Sequence, residues 1–141
     1  VMTDIRFFVP GIPAPQGSKR HVGNGRMVES SKKVAPWRAA VVRVVREQGL
    51  AHGLTNPINV TANFVLPKPK TIKREWPTTR PDLDKLIRST FDALTTSGLW
   101  LDDSLAISVT ATKVYALDDM PTGAYLRIQP VIITARGRQY D

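Results

Sequence analysis

The sequence predicts an α/β (α+β) fold, a mixed β-sheet packed by two main helices, and three observations predict it. Several segments alternate in hydropathy at every second residue, the period of a half-buried strand. Two others repeat their apolar residues at i, i+3, i+4 and i+7, the period of an amphipathic helix. The chain has 141 residues, enough to bury one core without disulfides or a structural metal. It shows no internal repeat, so residues 1–141 read as a single compact domain.

Each element follows in chain order. Ile5, Phe7 and Val9 alternate with Arg6, Phe8 and Pro10 as a first strand. The loop "PGIPAPQGSKRHVGNG" comes next, with Lys19 and Arg20. Its Gly17, Gly23 and Gly25 lack the strand-to-helix setting of a nucleotide-binding turn. Pro36 suits a first helical turn, and Trp37, Ala40, Val41, Val44 and Val45 line one helical face. Gly49 and Gly53 bracket the expected stop. Val60, Ala62, Phe64 and Leu66 then oppose Asn59, Thr61 and Asn63 in a half-buried strand. Pro67 ends it and opens "PKPKTIKREWPTTRP", a stretch without period and too long for a plain connection.

The second helix runs from residue 83 to about residue 96, with Leu83, Leu86, Ile87, Thr90, Phe91 and Leu94 on its buried face. Gly98 is placed for a left-handed cap. Leu105, Ile107, Val109 and Ala111 alternate with Ser108, Thr110 and Thr112 in a strand reaching Tyr115. A turn around "LDDMPTG" leads to a final strand with Leu126, Ile128 and Ile132, where Pro130 predicts an edge or a bulge.

Composition narrows the chemistry. There are no cysteines, which excludes disulfides, thiolate zinc sites and cysteine nucleophiles, and His21 and His52 are the only imidazoles. No apolar run approaches the roughly 20 residues of a membrane span, and no secretory signal pattern is visible, so the expected location is cytoplasmic and no membrane partner is expected. The formal net charge is +8. Residues 1–80 carry fourteen Lys/Arg against four Asp/Glu, a net of +10, while residues 81–141 carry six against eight, a net of −2. A basic field of this kind suits a polyanion such as nucleic acid, although it also serves solubility alone. Lys68, Lys70, Lys73, Arg74 and Arg80 surround Trp76 in the long loop, a pattern that fits phosphate contact with base stacking. Trp76 itself reads first as an anchor of that loop on the core.

Against this basic background, five of the twelve acidic residues fall in "RPDLDKLIRSTFDALTTSGLWLDDS", residues 80–104. Alone, Asp82 is a good N-cap and Asp84 a good partner for Arg88 one turn on, each worth a few tenths of a kcal/mol to about 1 kcal/mol. Asp102 and Asp103, at the entrance to the next strand, change that balance. Clustered carboxylates without histidine or cysteine are hard oxygen ligands that suit Mg²⁺, with Mn²⁺ as a possible substitute. On a surface that attracts phosphates, such an ion serves phosphodiester cleavage, and Arg88 is placed to offset charge building on the phosphate. Asp92 reads as a salt bridge or buried polar contact, and Trp100 as core. Whether the acids meet within one chain or across a symmetry mate is left open by the spacing, because a helix of about 13 residues spans roughly 20 Å.

The same stretch closely resembles the central motif of the RusA family of Holliday junction resolvases. The shared frame is Arg-x-Asp-Leu-Asp, a basic residue four positions later, Phe-Asp-Ala-Leu, Gly, an apolar pair and Leu-Asp-Asp, strongest over residues 80–115. The resemblance implies that Asp82, Asp84 and Asp103 are metal-binding catalytic carboxylates, with Asp102 matched but less firmly tied to chemistry. Arg88 falls where the family can have a catalytic lysine; arginine keeps the charge but does not readily donate a proton. Lys85 becomes a phosphate contact. The resemblance further implies a homodimer acting on branched DNA, a four-way junction whose near two-fold symmetry a C2 dimer matches. Basic loops at Lys19–Arg20 and Lys68–Arg74 would then hold the arms through phosphates. The expected activity is a Mg²⁺-dependent endodeoxyribonuclease resolving Holliday junctions by paired nicks, in a bacterial cell or phage-infected host. The alternatives are a non-catalytic basic DNA-binding protein and a metal-dependent nuclease acting on flaps or RNA.

Overall fold

A computed structural model describes residues 4–17, 19–21, 27–29, 32–134 and 137–139. Its centre is a four-stranded sheet in the order β1-β6-β4-β5. The strands are β1 (Ile5–Pro10), β4 (Ile58–Leu66), β5 (Ala106–Tyr115) and β6 (Gly123–Pro130). β6 pairs antiparallel with β1 and β4, whereas β4 and β5 run parallel. A parallel pair needs a crossover, and that crossover carries α2 (Leu83–Ser97). The first helix, α1 (Val34–Glu47), joins β1 to β4 after a short hairpin of β2 (Lys19–His21) and β3 (Met27–Glu29). A second hairpin, β7 (Ile132–Thr134) with β8 (Gly137–Gln139), follows β6.

Strand alternation places one row of apolar side chains under the helices. Phe7, Leu126 and Ala62 stand in register across three strands, as do Val9, Ala124 and Phe64, and all six are buried. α1 lays Val34, Trp37, Ala40, Val41, Val44 and Val45 onto this face. α2 contributes Leu86, Ala93 and Leu94, together with the small polar residues Ser89, Thr90 and Ser97. Burying polar atoms there requires partners, and they exist: the Trp37 indole N–H donates to Thr90 Oγ1 at 3.1 Å, and the Ser89 hydroxyl donates to the Ala14 carbonyl at 2.6 Å. The other sheet face is polar and aromatic, with Phe8 and Tyr125 ring centroids 4.5 Å apart. There the Arg127 guanidinium donates to Asp4, and that bond holds the Asp4 carboxyl below the ordinary aspartate range.

The predicted order of strands and helices is present, with the two hairpins added. Three local expectations are corrected. Ile107 and Val109 are not buried but 49% and 43% exposed, because β5 is an edge strand, although its Ala111 and Tyr115 still pack with the core. Pro130 closes β6 inside the sheet instead of marking an edge strand, and Ile132 belongs to β7, separated from β6 by Val131. The half-buried reading of β4 is also too exposed: flanked by strands on both sides, it buries Asn59 and Val65 as well.

Candidate metal and nucleic-acid site

Asp82 is the N-cap residue of α2, with extended backbone angles (φ −70°, ψ 138°), and its carbonyl accepts the first helical bond from the Leu86 N–H at 3.1 Å. Its carboxylate makes no capping bond. Asp84, in the first turn, is exposed, and no ion pair joins it to Arg88. The ion pairs among the described residues are both made by Asp4, with Arg6 and with Arg127. The plain capping and pairing alternative is therefore not formed: Asp82, Asp84 and Arg88 are exposed, and among the described residues none of the three makes an ion pair. Asp92, expected in a salt bridge or buried polar contact, is half-buried, and among the described residues its carboxylate makes no ion pair; its main-chain carbonyl accepts from the Thr96 hydroxyl at 3.0 Å.

The approach to Asp82 is held from β5. Lys113 lies opposite Phe64 in the β4–β5 register, and its ammonium donates to the carbonyls of Thr79 and Pro81, each at 2.8 Å. The chain then enters α2 through a cis Arg80–Pro81 peptide. On the other side, the Gln16 N–H donates to the Lys85 carbonyl at 3.0 Å. The segment leading to Lys19 and Arg20 thus departs from beside the acid pair; the side chains of Lys19 and Arg20 lie outside the described residues. Lys85 itself is half-buried.

Lys68, Lys70, Lys73, Arg74 and Arg80 are all exposed, and two of them also work within the protein. Lys68 and Arg74 sit over the Tyr115 ring at 5.7 and 5.9 Å, and Arg74 donates to Thr79 Oγ1 at 2.9 Å. Beside them lies a cleft of about 390 Å³, lined by Pro13, Pro67 and Tyr115 and by Lys33, Arg74 and Arg80. Trp76 is 58% exposed, so its expected role as a core anchor is overturned, while the next residue, Pro77, is buried. Trp100 is core as expected, edge-on to Phe91 at 5.1 Å with its indole N–H donating to Thr95 Oγ1 at 2.7 Å.

The second acid pair lies elsewhere. α2 ends at Gly98, whose φ of 85° is the left-handed conformation glycine adopts without strain. Asp102 caps a single 3₁₀ turn (Asp103–Leu105), its carboxylate accepting the Ser104 N–H at 3.1 Å. Ser104 holds that carboxyl below the ordinary aspartate range, so Asp102 has a structural task. Asp103 is exposed at the start of the turn. β5 then runs from Ala106 back to Lys113, which touches Pro81. Seven strand residues at about 3.3 Å each, or fifteen helical residues at about 1.5 Å each, place Asp103 roughly 20 Å from Asp82. Among the described residues, no three His, Cys, Asp or Glu lie together in a way that could hold a metal ion. Asp82, Asp84 and Arg88 share the first turns of α2, and Asp103 lies beyond the far end of the same helix.

Two groups of basic residues were missed by sequence reasoning. Lys113 is the one charge in an otherwise uncharged strand, a signal that only the register with Phe64 explains. Arg38, Arg43 and Arg46 line a groove of about 500 Å³ between α1 and α2, and Arg46 donates to the Thr96 carbonyl at 3.4 Å. Their spacing on the polar side of α1 was readable, but the facing helix was not.

Comparison with known proteins covers both acid pairs. Residues 10–128 match the family Endodeoxyribonuclease RusA. A crossover junction endodeoxyribonuclease RusA of Escherichia coli O139:H28 is 29% identical over 104 residues, 73% of this chain and 79% of the relative. Proteins of the same name from Enterobacteria phage 82 and from Shigella sonnei are each 28% identical over the same shares. With the match running from the end of β1 through β6, the chain belongs to the RusA family of endodeoxyribonucleases.

Proposed function

We propose that this protein is a structure-specific endodeoxyribonuclease that resolves four-way DNA junctions by paired nicks in opposing strands, acting as a homodimer with Mg²⁺. The observation that carries this reading is the exposed pair Asp82 and Asp84, bonded neither as a cap nor in an ion pair, on a chain of net charge +8. Two like charges in one helical turn repel, and among the described residues no Lys or Arg forms an ion pair with either. The names of the relatives, crossover junction endodeoxyribonucleases, support the branched substrate.

The donor set fits a hard divalent cation: three carboxylates, no thiolate and no imidazole. Ligand oxygens stand about 2.1 Å from Mg²⁺, so Asp103 at roughly 20 Å cannot share an ion with Asp82 of its own chain. Asp82 and Asp84 of one copy with Asp103 of a second would hold it, which makes the dimer a requirement for chemistry. When bound, the cation polarises the scissile phosphate and makes a coordinated water more acidic. Arg88, unpaired one turn beyond Asp84, offsets charge on the phosphate oxygens. Lys70, Lys73 and Arg80 position the backbone without reading sequence.

The test compares a four-way junction, a flap and a linear duplex of equal length, with wild type and Asp103→Asn, with and without Mg²⁺. Symmetric nicks on the junction are expected from wild type with Mg²⁺ alone. Asp103→Asn is expected to bind the junction as wild type does and to leave it uncut. Preferred cleavage of the flap or duplex, or unchanged cleavage by Asp103→Asn, would sink this reading.

A further inference from the structure

We infer that Trp76 is a stacking platform for a DNA base unpaired or unstacked at the branch point, an inference that rests on the DNA-junction reading above. The three tryptophans divide sharply. Trp37 and Trp100 are each 1% exposed, with their indole N–H groups donating to Thr90 and Thr95. Trp76 is 58% exposed, and among the described residues no hydrogen bond engages its indole N–H. Leaving so large an apolar ring in water forfeits the burial that normally stabilises it.

The backbone that carries Trp76 is fastened on both sides. Ile72 packs against the core and its N–H donates to the Pro69 carbonyl at 3.1 Å. Pro77 is buried, and the Thr78 N–H closes back on the Trp76 carbonyl at 2.9 Å. Arg74 bonds Thr79 across the tryptophan, and Lys113 clamps Thr79 and Pro81. A ring on a fixed backbone loses only two side-chain torsions when it binds, so stacking costs little ordering entropy.

Position and charge select the occupant. Trp76 precedes Asp82 by six residues, which the chain spans in at most about 20 Å. Its own loop supplies Lys68, Lys70, Lys73, Arg74 and Arg80 against the single carboxylate of Glu75. A protein partner would need apolar neighbours around the ring, whereas the exposed charges of this loop are cationic except for Glu75. An exposed indole among lysines and arginines is the arrangement that holds a backbone electrostatically and a base by its face. A fully paired duplex hides its base faces, and a branch point exposes them. Trp76 therefore contributes to preference for branched over linear DNA.

The experiment measures equilibrium binding of a four-way junction and of a linear duplex in Ca²⁺, for wild type, Trp76→Ala and Trp76→Phe. Trp76→Ala is expected to weaken junction binding by about 5- to 150-fold and duplex binding by less than about twofold, with Trp76→Phe recovering most of the loss. Wild-type tryptophan emission is expected to be quenched by the junction, and emission from Trp76→Phe, which retains only the buried indoles, to stay unchanged. Equal losses on junction and duplex, or no loss on the junction, would overturn the inference while leaving the nuclease reading intact. Failure of the wild type itself to bind the junction would overturn both. Thermal melts of the two variants exclude misfolding as the source of a loss.

Discussion

Arg88 stands four residues after Asp84 at the spacing of a helix ion pair, yet the two do not pair. Under the proposed function, this exposed guanidinium would be available to a phosphate of the DNA. If its task is charge, then lysine substitutes and alanine does not. Arg88→Lys is expected to keep the single-turnover junction-cleavage rate within about tenfold, while Arg88→Ala lowers it by about 10²–10³, the usual loss on removing one transition-state donor. A lysine variant as slow as the alanine variant would instead identify a bidentate contact that only arginine makes. At this scale sequence singled out Asp82, Asp84, Arg88 and Trp76 and misjudged their partners. Asp82 has the residue type and position of a cap but makes no side-chain cap bond, and Trp76 has the composition of an anchor but lies exposed. Such contacts depend on rotamers and on neighbours remote in the chain, which local pattern does not encode.

The two helices were the most legible elements, because a 3.6-residue period over four turns is hard to mimic by chance. What period cannot say is how the faces meet. The α1–α2 contact is fixed in part by one buried polar pair, Trp37 with Thr90, 53 residues apart. Thr90 looked like an ordinary member of an apolar face; its hydroxyl is in fact the acceptor that makes a buried indole N–H acceptable. Thr90→Val keeps shape and removes that acceptor, so it is expected to destabilise the fold by about 1–3 kcal/mol. Urea denaturation checks this, with the midpoint falling and the slope unchanged. Strand β5 shows the converse limit. Its alternation of Ile107 and Val109 with Ser108 and Thr110 correctly announced a strand, but alternation separates two faces without saying whether anything covers either one. That depends on strand order, and β5 falls at the edge because its parallel crossover from β4 carries it to the outside of the sheet.

At the scale of the molecule, one acid group lies at each end of α2, Asp82 and Asp84 at its start and Asp103 between its end and the start of β5. With roughly 20 Å between those ends, the proposed dimer would bring Asp103 of one copy to Asp84 of the other, and would do so twice. Sequence could state the roughly 20 Å helix but not whether the return strand would close the gap; the Lys113 contact with Pro81 shows that the strand comes back and Asp103 stays behind. Mixing two inactive variants tests the consequence. In a heterodimer of Asp84→Asn with Asp103→Asn, sites built across the dimer sort both substitutions into one site and leave the other wholly wild type. Sites closed within a chain would each carry one substitution, and both would stay dead. Each variant alone is expected to leave a junction uncut with Mg²⁺, and the mixture, after subunit exchange, to recover nicking in one strand per junction at up to about half the dimers, the statistical share of heterodimers. Recovered nicks confined to a single strand match one intact site per dimer. A mixture as inactive as its components, with exchange verified by mass, would place Asp103 in the site of its own chain.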